Sequence, residues 1–185
     1  MKRLFLALSI VWFVCLGLAQ SAYAAIPEDV EKLLDTNSCP VCILDEANLQ
    51  NADLQNSNLK VAVLTKADLR GANLSGANLM LSYFDRADLS GAVLAGASLN
   101  GANLSEAKLV GTNLRGAEMT QANLNNADLS QANLEDAVLM SVVLGTANLT
   151  EANLKGANLR GVNRSEVRFC RTVMPDGAIE NRDCP

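Results

Sequence analysis

The chain has 185 residues, 49% of them hydrophobic but only 4% aromatic, and its 15 basic and 20 acidic side chains leave a formal net charge of −5 with no histidine at all. That length suits one domain. Without histidine the chain lacks the commonest general base, the usual partner of a Ser or Cys nucleophile and the commonest metal ligand, so an enzyme is not expected, and nothing in the sequence calls for a cofactor.

Residues 1–24 read as a secretory signal peptide. Lys2 and Arg3 supply the positive start, Leu4–Leu18 is an apolar run, and Ala22-Tyr23-Ala24 is a small-x-small cleavage site. The run is short for a membrane span, so cleavage is expected rather than retention as an anchor, and the mature chain from Ala25 is expected to carry no span. Val14 stands where a small residue would precede a lipidated cysteine, which weakens a lipoprotein reading of Cys15. No Arg-Arg pair occurs in the leader, favouring the general secretory route over twin-arginine export.

Residues 25–38 carry the signals of a short capping α-helix. Pro27 suits a first helical position, Glu28 and Asp29 fall in the favourable first turn, and Asn37 can stop the helix. Val30, Leu33 and Leu34 form one apolar stripe. A repeat array needs such a cap, since its terminal coil otherwise exposes core and unpaired backbone. The alternative is a helix that docks a partner.

Cys39-Pro40-Val41-Cys42 follows. In an exported protein a close cysteine pair favours a disulfide over a metal site. Counting back by fives from the repeats downstream places Cys39 and Cys42 at inward positions, so a structural role as disulfide or buried thiols is expected, with redox exchange as the alternative. Haem attachment fails because Ile43 occupies the position that a histidine would need, and thioredoxin-like chemistry lacks its βαβ setting. A four-cysteine metal site with Cys170 and Cys184 is disfavoured by the length of repeat between the two pairs.

Residues 39–161 are a tandem array. Leu recurs every fifth residue from Leu44 to Leu159, giving (159−44)/5+1 = 24 units in which only Phe84 and Met119 replace it. Two residues before each centre stands a small residue, Ala in 19 of the 24 units. At about 100° per residue, five helical residues advance about 140° and scatter the leucines around a helix. On a flat strand an odd period sends them to alternate faces. A chain that bends equally every five residues points them all at one axis, and Gly, Asn and Asp around the centres suit such bends. The result is a solenoid whose coils stack as a parallel ladder.

The run Ala67–Leu79, ADLRGANLSGANL, resembles the A(D/N)LXX signature of the pentapeptide-repeat family. The resemblance covers the 24 units and implies an all-β fold, a right-handed quadrilateral β-helix with four units per coil. Six such coils at the ladder spacing stack to about 29 Å. It also implies a non-enzymatic role. Some cytosolic members resemble a DNA duplex and act on gyrase by presenting an acidic rod. Here Cys42–Gly161 holds 8 basic and 12 acidic residues without a dense acidic face, and the leader removes the chain from the cytosol. Nor is there a basic, aromatic-interleaved stripe for nucleic acid.

One departure from the repeat has its own period. Ile43, Val63 and Tyr83 precede their centres at intervals of twenty, and Val41, Val61, Met80 and Leu81 are apolar where Asn, Gly or Ser is ordinary. Val61, Val63, Met80, Leu81 and Tyr83 are therefore the candidate partner surface, or the seat of a folded-back cap.

Residues 162–185 are expected to form an irregular coil and cap. Arg164 falls where a centre is due, and burying it unpaired would be costly, so the backbone is expected to leave register. Phe169, Met174 and Ile179 resume the spacing, and Met174-Pro175-Asp176-Gly177 is a strong turn signal bracketed by Cys170 and Cys184. The chain as a whole reads as an exported, monomeric module in a periplasm or thylakoid lumen, with a protein partner whose identity the sequence does not give. That narrower placement rests on resemblance to exported cyanobacterial members of the family. Two alternatives stand beside it: a redox-responsive protein using Cys39 and Cys42, and a regulator that mimics a macromolecule.

Overall fold

The computed structural model describes residues 24–185; the signal-peptide reading therefore lies outside the described residues but for Ala24. The array bends as its period demands. In each unit the central side chain points inward and a tight turn follows, closed by the N–H three residues after the centre: Ala47 donates to the Leu44 carbonyl at 3.1 Å and Ala72 to that of Leu69 at 3.0 Å. The third residue of these turns takes a left-handed conformation, with φ of 58° at Glu46, 57° at Lys66 and 67° at Gly71. That is the geometry of a type II turn. The Asn or Asp before the centre has a separate task. Its carboxyl or amide oxygen accepts the N–H two residues on, as from Ser75 to Asn73 Oδ1 at 3.2 Å and from Ser90 to Asp88 Oδ1 at 3.1 Å.

Parallel bridges join residues twenty apart, such as Ile43 to Val63, Asn48 to Asp68, Asp53 to Asn73 and Asn58 to Asn78, so one coil holds four units. Only one residue per unit pairs in this way, because a turn arrives every five residues. The ladder is accordingly built from isolated bridges rather than strands.

Every centre from Leu44 to Leu154 is buried, Phe84 and Met119 included, and the alanine columns fill the space between them. Large side chains at both inward positions would not fit so narrow an interior. Where a hydroxyl replaces Ala it turns to the backbone: Ser82 Oγ donates to the Leu79 carbonyl and Thr112 Oγ1 to that of Leu89 at 2.9 Å. Ser57 Oγ is buried without a partner.

Helix α1 (Pro27–Thr36) closes the N-terminal end. Leu33 is fully buried against the first coil and Val30 packs beside it, but Leu34, expected on the same stripe, faces solvent. The Ile26 N–H donates to the Ile43 carbonyl at 3.1 Å, and the Asp29 carboxylate accepts the Ile43 N–H at 2.8 Å. For Ile43 the cap thus supplies the partners that a preceding coil would have given.

At the other end Arg164 is exposed and the chain leaves register, as its charge requires. The ladder resumes at Arg168 and Val173, which bridge to Asn148 and Asn153, so it extends beyond residue 161. Phe169 is buried and Met174 partly so, whereas Ile179 is 64% exposed and does not rejoin the core. Ile179 instead belongs to an antiparallel hairpin of β1 (Thr172–Val173) and β2 (Ile179–Glu180), turned at Gly177 with φ 85°.

Candidate functional site

The apolar departures converge on one side of the first coils. Ile43, Val63, Tyr83, Asn103, Asn123 and Val143 form a single bridged column. Tyr83 is 46% exposed and Leu81 49%, while Val61, Val63 and Met80 are half-buried along the same strip. Val41 and Ile43 extend it toward α1. Helix α1 and its N-cap bond to Ile43 at one end of the strip and leave Leu81 and Tyr83 exposed.

Val41, Val61 and Leu81 stand at the turn position with φ of 63°, 60° and 58°. This left-handed region is unfavourable for any residue with a Cβ and most of all for β-branched ones. The same column continues as Gly101, Gln121 and Ser141, none of them β-branched. An added Cβ at Gly101 would lie 2.7 Å from Leu81 Cδ2, because the Leu81 side chain lies over this glycine. The sequence shows the apolar character of this column; its left-handed backbone becomes visible only once the turn phase is known.

The flank of the strip is charged but balanced. Lys66 pairs with Glu46 at 3.0 Å and Arg86 with Glu106 at 2.8 Å, each reaching one coil away. Glu106 is held below the ordinary carboxylate range by its hydrogen bond from Arg86 and by that residue's charge. Farther round the solenoid the Asp68 carboxyl is lowered in the same way, chiefly by the Arg70 side chain, 2.6 Å away. Asp45, beside the first coil, is shifted the other way by desolvation.

Both cysteine pairs lie within disulfide reach, with Cα–Cα distances of 5.5 Å for Cys39 and Cys42 and 4.8 Å for Cys170 and Cys184. Cys39 and Cys42 are 0% and 3% exposed, inward as the count by fives requires, beneath α1. With Asp29 they bring three potential ligand atoms within 4.8 Å of one another, but sulfurs bonded to each other offer no thiolate to an ion. No helix among the described residues is long and apolar enough to cross a membrane.

Stacked twenty-residue coils around an inward leucine column define a tandem-repeat β-solenoid. The family model for pentapeptide repeats matches in eight copies, over residues 42–79, 82–121, 117–145 and 137–174. The chain belongs to the pentapeptide-repeat family. It is similar to HetL, a protein involved in heterocyst differentiation regulation in Nostoc sp. strain PCC 7120, at 33% identity over 74% of this chain and 76% of HetL, with a TM-score of 0.39. A pentapeptide repeat protein of the Arabidopsis thaliana thylakoid lumen is 31% identical over 59% of this chain and 69% of its own, with a TM-score of 0.27. The plasmid-mediated fluoroquinolone resistance protein QnrB1 is 22% identical over 74% and 72%, with a TM-score of 0.45. No curated protein sequence matches the chain.

Proposed function

We propose that the protein is an exported, non-enzymatic binding module, built as a right-handed quadrilateral β-helix, and that it holds a protein partner on the strip of Val61, Val63, Met80, Leu81 and Tyr83. One observation carries this reading. Val41, Val61 and Leu81 occupy a left-handed turn position at a cost of about 1–2 kcal/mol each, and Val41 and Leu81 then leave their side chains in water. Gly, Asn or a polar residue such as Glu46, Lys66 or Arg86 fills that position in the other units, and among the described residues only Val41 and Val61 are β-branched there. Strain of this kind persists where surrounding structure holds it and function uses it. The turn of every unit demands the left-handed conformation; what a contact surface accounts for is the placing of β-branched and apolar residues there with their side chains exposed.

The leader supports export, to a periplasm or thylakoid lumen. The four-unit coil supports the quadrilateral form. The cross-coil pairs of Lys66 with Glu46 and Arg86 with Glu106 speak against an acidic rod mimicking a nucleic acid, since they neutralise the charged column. Redox exchange needs an accessible sulfur, and neither Cys39 nor Cys42 offers one.

The test is affinity capture from the extracytoplasmic fraction, comparing the wild-type protein with a folded Tyr83→Glu variant. The expected result is a partner held by wild type and lost by the variant. Equal capture by both would move the contact off this strip.

A further inference from the structure

Beyond β2 the strap Asn181–Cys184 is bound to the last coil residue by residue. Within the array a central N–H donates to the carbonyl nineteen residues ahead, as Leu124 does to Val143 at 2.8 Å. The Phe169 N–H donates instead to the Asp183 carboxylate at 2.9 Å, and the Phe169 carbonyl accepts the Asp183 N–H at 3.0 Å. The Arg171 N–H donates to Asn181 Oδ1 at 2.9 Å. The Arg182 guanidinium lies 4.8 Å over the Phe169 ring and donates to the carbonyls of Arg164 at 2.5 Å and Val167 at 2.6 Å. Cys184 is joined to Cys170 by a disulfide. Only this last attachment is covalent. All four strap residues are exposed, so none of them anchors the strap by burying a side chain in the core.

The two disulfides differ in access. Cys39 and Cys42 are both buried beneath α1, and neither sulfur is reached unless the cap moves. Cys170 is 5% exposed, but its partner Cys184 stands at the surface. Thiol–disulfide exchange requires a thiolate to attack one sulfur of the pair, so access decides which sulfur is taken. Here one side of one disulfide is open.

We infer that the Cys170–Cys184 disulfide is an exchange site for a protein dithiol, which enters at Cys184 and releases the strap while the array stays folded. The attacking thiolate bonds to Cys184 Sγ as the bond to Cys170 breaks. Cys170 Sγ departs with the electron pair and takes a proton from water. The dithiol's second thiol, losing its proton, then attacks the sulfur of its own first cysteine, and Cys184 leaves as a thiol. The protein disulfide gains two electrons and two protons, and the dithiol is oxidised to a disulfide. A monothiol would not complete the reaction, because Cys170 stays tethered beside the mixed disulfide and attacks it in return. Once the link is open, only hydrogen bonds and the Arg182–Phe169 contact, all at a water-facing edge, hold the strap, and such a segment opens locally. The site shares no residue with the strip of Val61 to Tyr83 and does not rest on it.

The probe is a thioredoxin-type protein with a C-x-x-C dithiol, used intact and as a variant lacking the second cysteine, against the full folded protein at about pH 7. The single-cysteine form is expected to be trapped as a mixed disulfide, which peptide mass mapping places at Cys184. The intact dithiol should free Cys170 and Cys184 to alkylation at least about ten-fold faster than Cys39 and Cys42. Amide hydrogen exchange at Phe169 should then quicken at least about ten-fold, with Leu104 unchanged as the control for a folded array. The double variant Cys170→Ser/Cys184→Ser should show the fast Phe169 exchange with no dithiol present and should capture nothing. Tyr83→Glu leaves the capture unchanged, which separates this test from that of the strip. Trapping at Cys39 or Cys42, or equal rates for the two pairs, overturns the proposal. So does a failure of the dithiol to open the pair, or a Phe169 amide that stays protected after reduction.

Discussion

Leu104→Ala tests the architecture where it is least able to adapt. Leu104 is fully buried at mid-stack, with Phe84 and Leu124 in the corresponding places one coil below and one above. The substitution removes three carbons, worth about 2.5 kcal/mol in transfer free energy. The walls of the resulting cavity are pinned, because the Phe84 N–H bonds the Asn103 carbonyl at 2.6 Å and the Leu104 N–H bonds that of Asn123 at 2.7 Å. Little collapse is available, and a loss of about 2–5 kcal/mol is expected, toward the upper end. The only tryptophan, Trp12, lies outside the described residues, so urea unfolding is followed by circular dichroism. Coils that touch only their neighbours can unzip in steps, so agreement with amide exchange at Leu99 and Leu104 is required before one free energy is assigned. A loss below about 1 kcal/mol would refute an inward Leu104, and with it the burial that holds the coils together.

Val61→Gly relieves a β-branched residue at φ 60° and is expected to raise stability by about 1 kcal/mol in the same denaturation assay while weakening partner capture; a destabilised variant would remove the strain argument. Ser57→Ala deletes a buried hydroxyl without a partner, and should leave stability unchanged or raise it by about 1 kcal/mol. A loss above that would reveal an acceptor that the geometry does not contain. The Asp183 carboxylate accepts the Phe169 N–H at 2.9 Å, and this bond, with the neighbouring Arg182, lowers its pKa. A lowered folded-state pKa gives stability that is present above the ordinary value of about 3.9 and lost as pH falls through the folded-state value. Phe169 amide exchange should therefore accelerate below about pH 4, and Asp183→Asn should abolish that acid response.

Much of the fold is legible because its rule is short. A five-residue period excludes helix and flat strand, and inward Leu and Ala then fix which face of every unit is buried. The same count puts Cys39 and Cys42 inside, and the charge of Arg164, which falls where a centre is due, takes it outside. What the period does not carry is the phase of the turn. It does not say that Gly71 and Val61 share one left-handed position, so Val61 reads as merely apolar when its backbone is the more informative fact. Nor does it carry the ends. Leu34 lies on a sound helical stripe yet faces water, since one turn of apolar contact suffices to cover a coil this narrow. Ile179 keeps the five-residue spacing yet is drawn away by pairing with Val173. At the ends, hydrogen bonds that the missing coil would have made compete with the spacing rule. At the N-terminal end Asp29 and Ile26 satisfy Ile43, while the Asn48 and Asp53 N–H groups on the same edge have no protein acceptor among the described residues. At the C-terminal end Arg182 binds the carbonyls of Arg164 and Val167, and the Leu144 N–H has no acceptor among the described residues. Each end is therefore completed only where a turn or a side chain reaches the edge of the ladder, and the five-residue period does not carry where that happens.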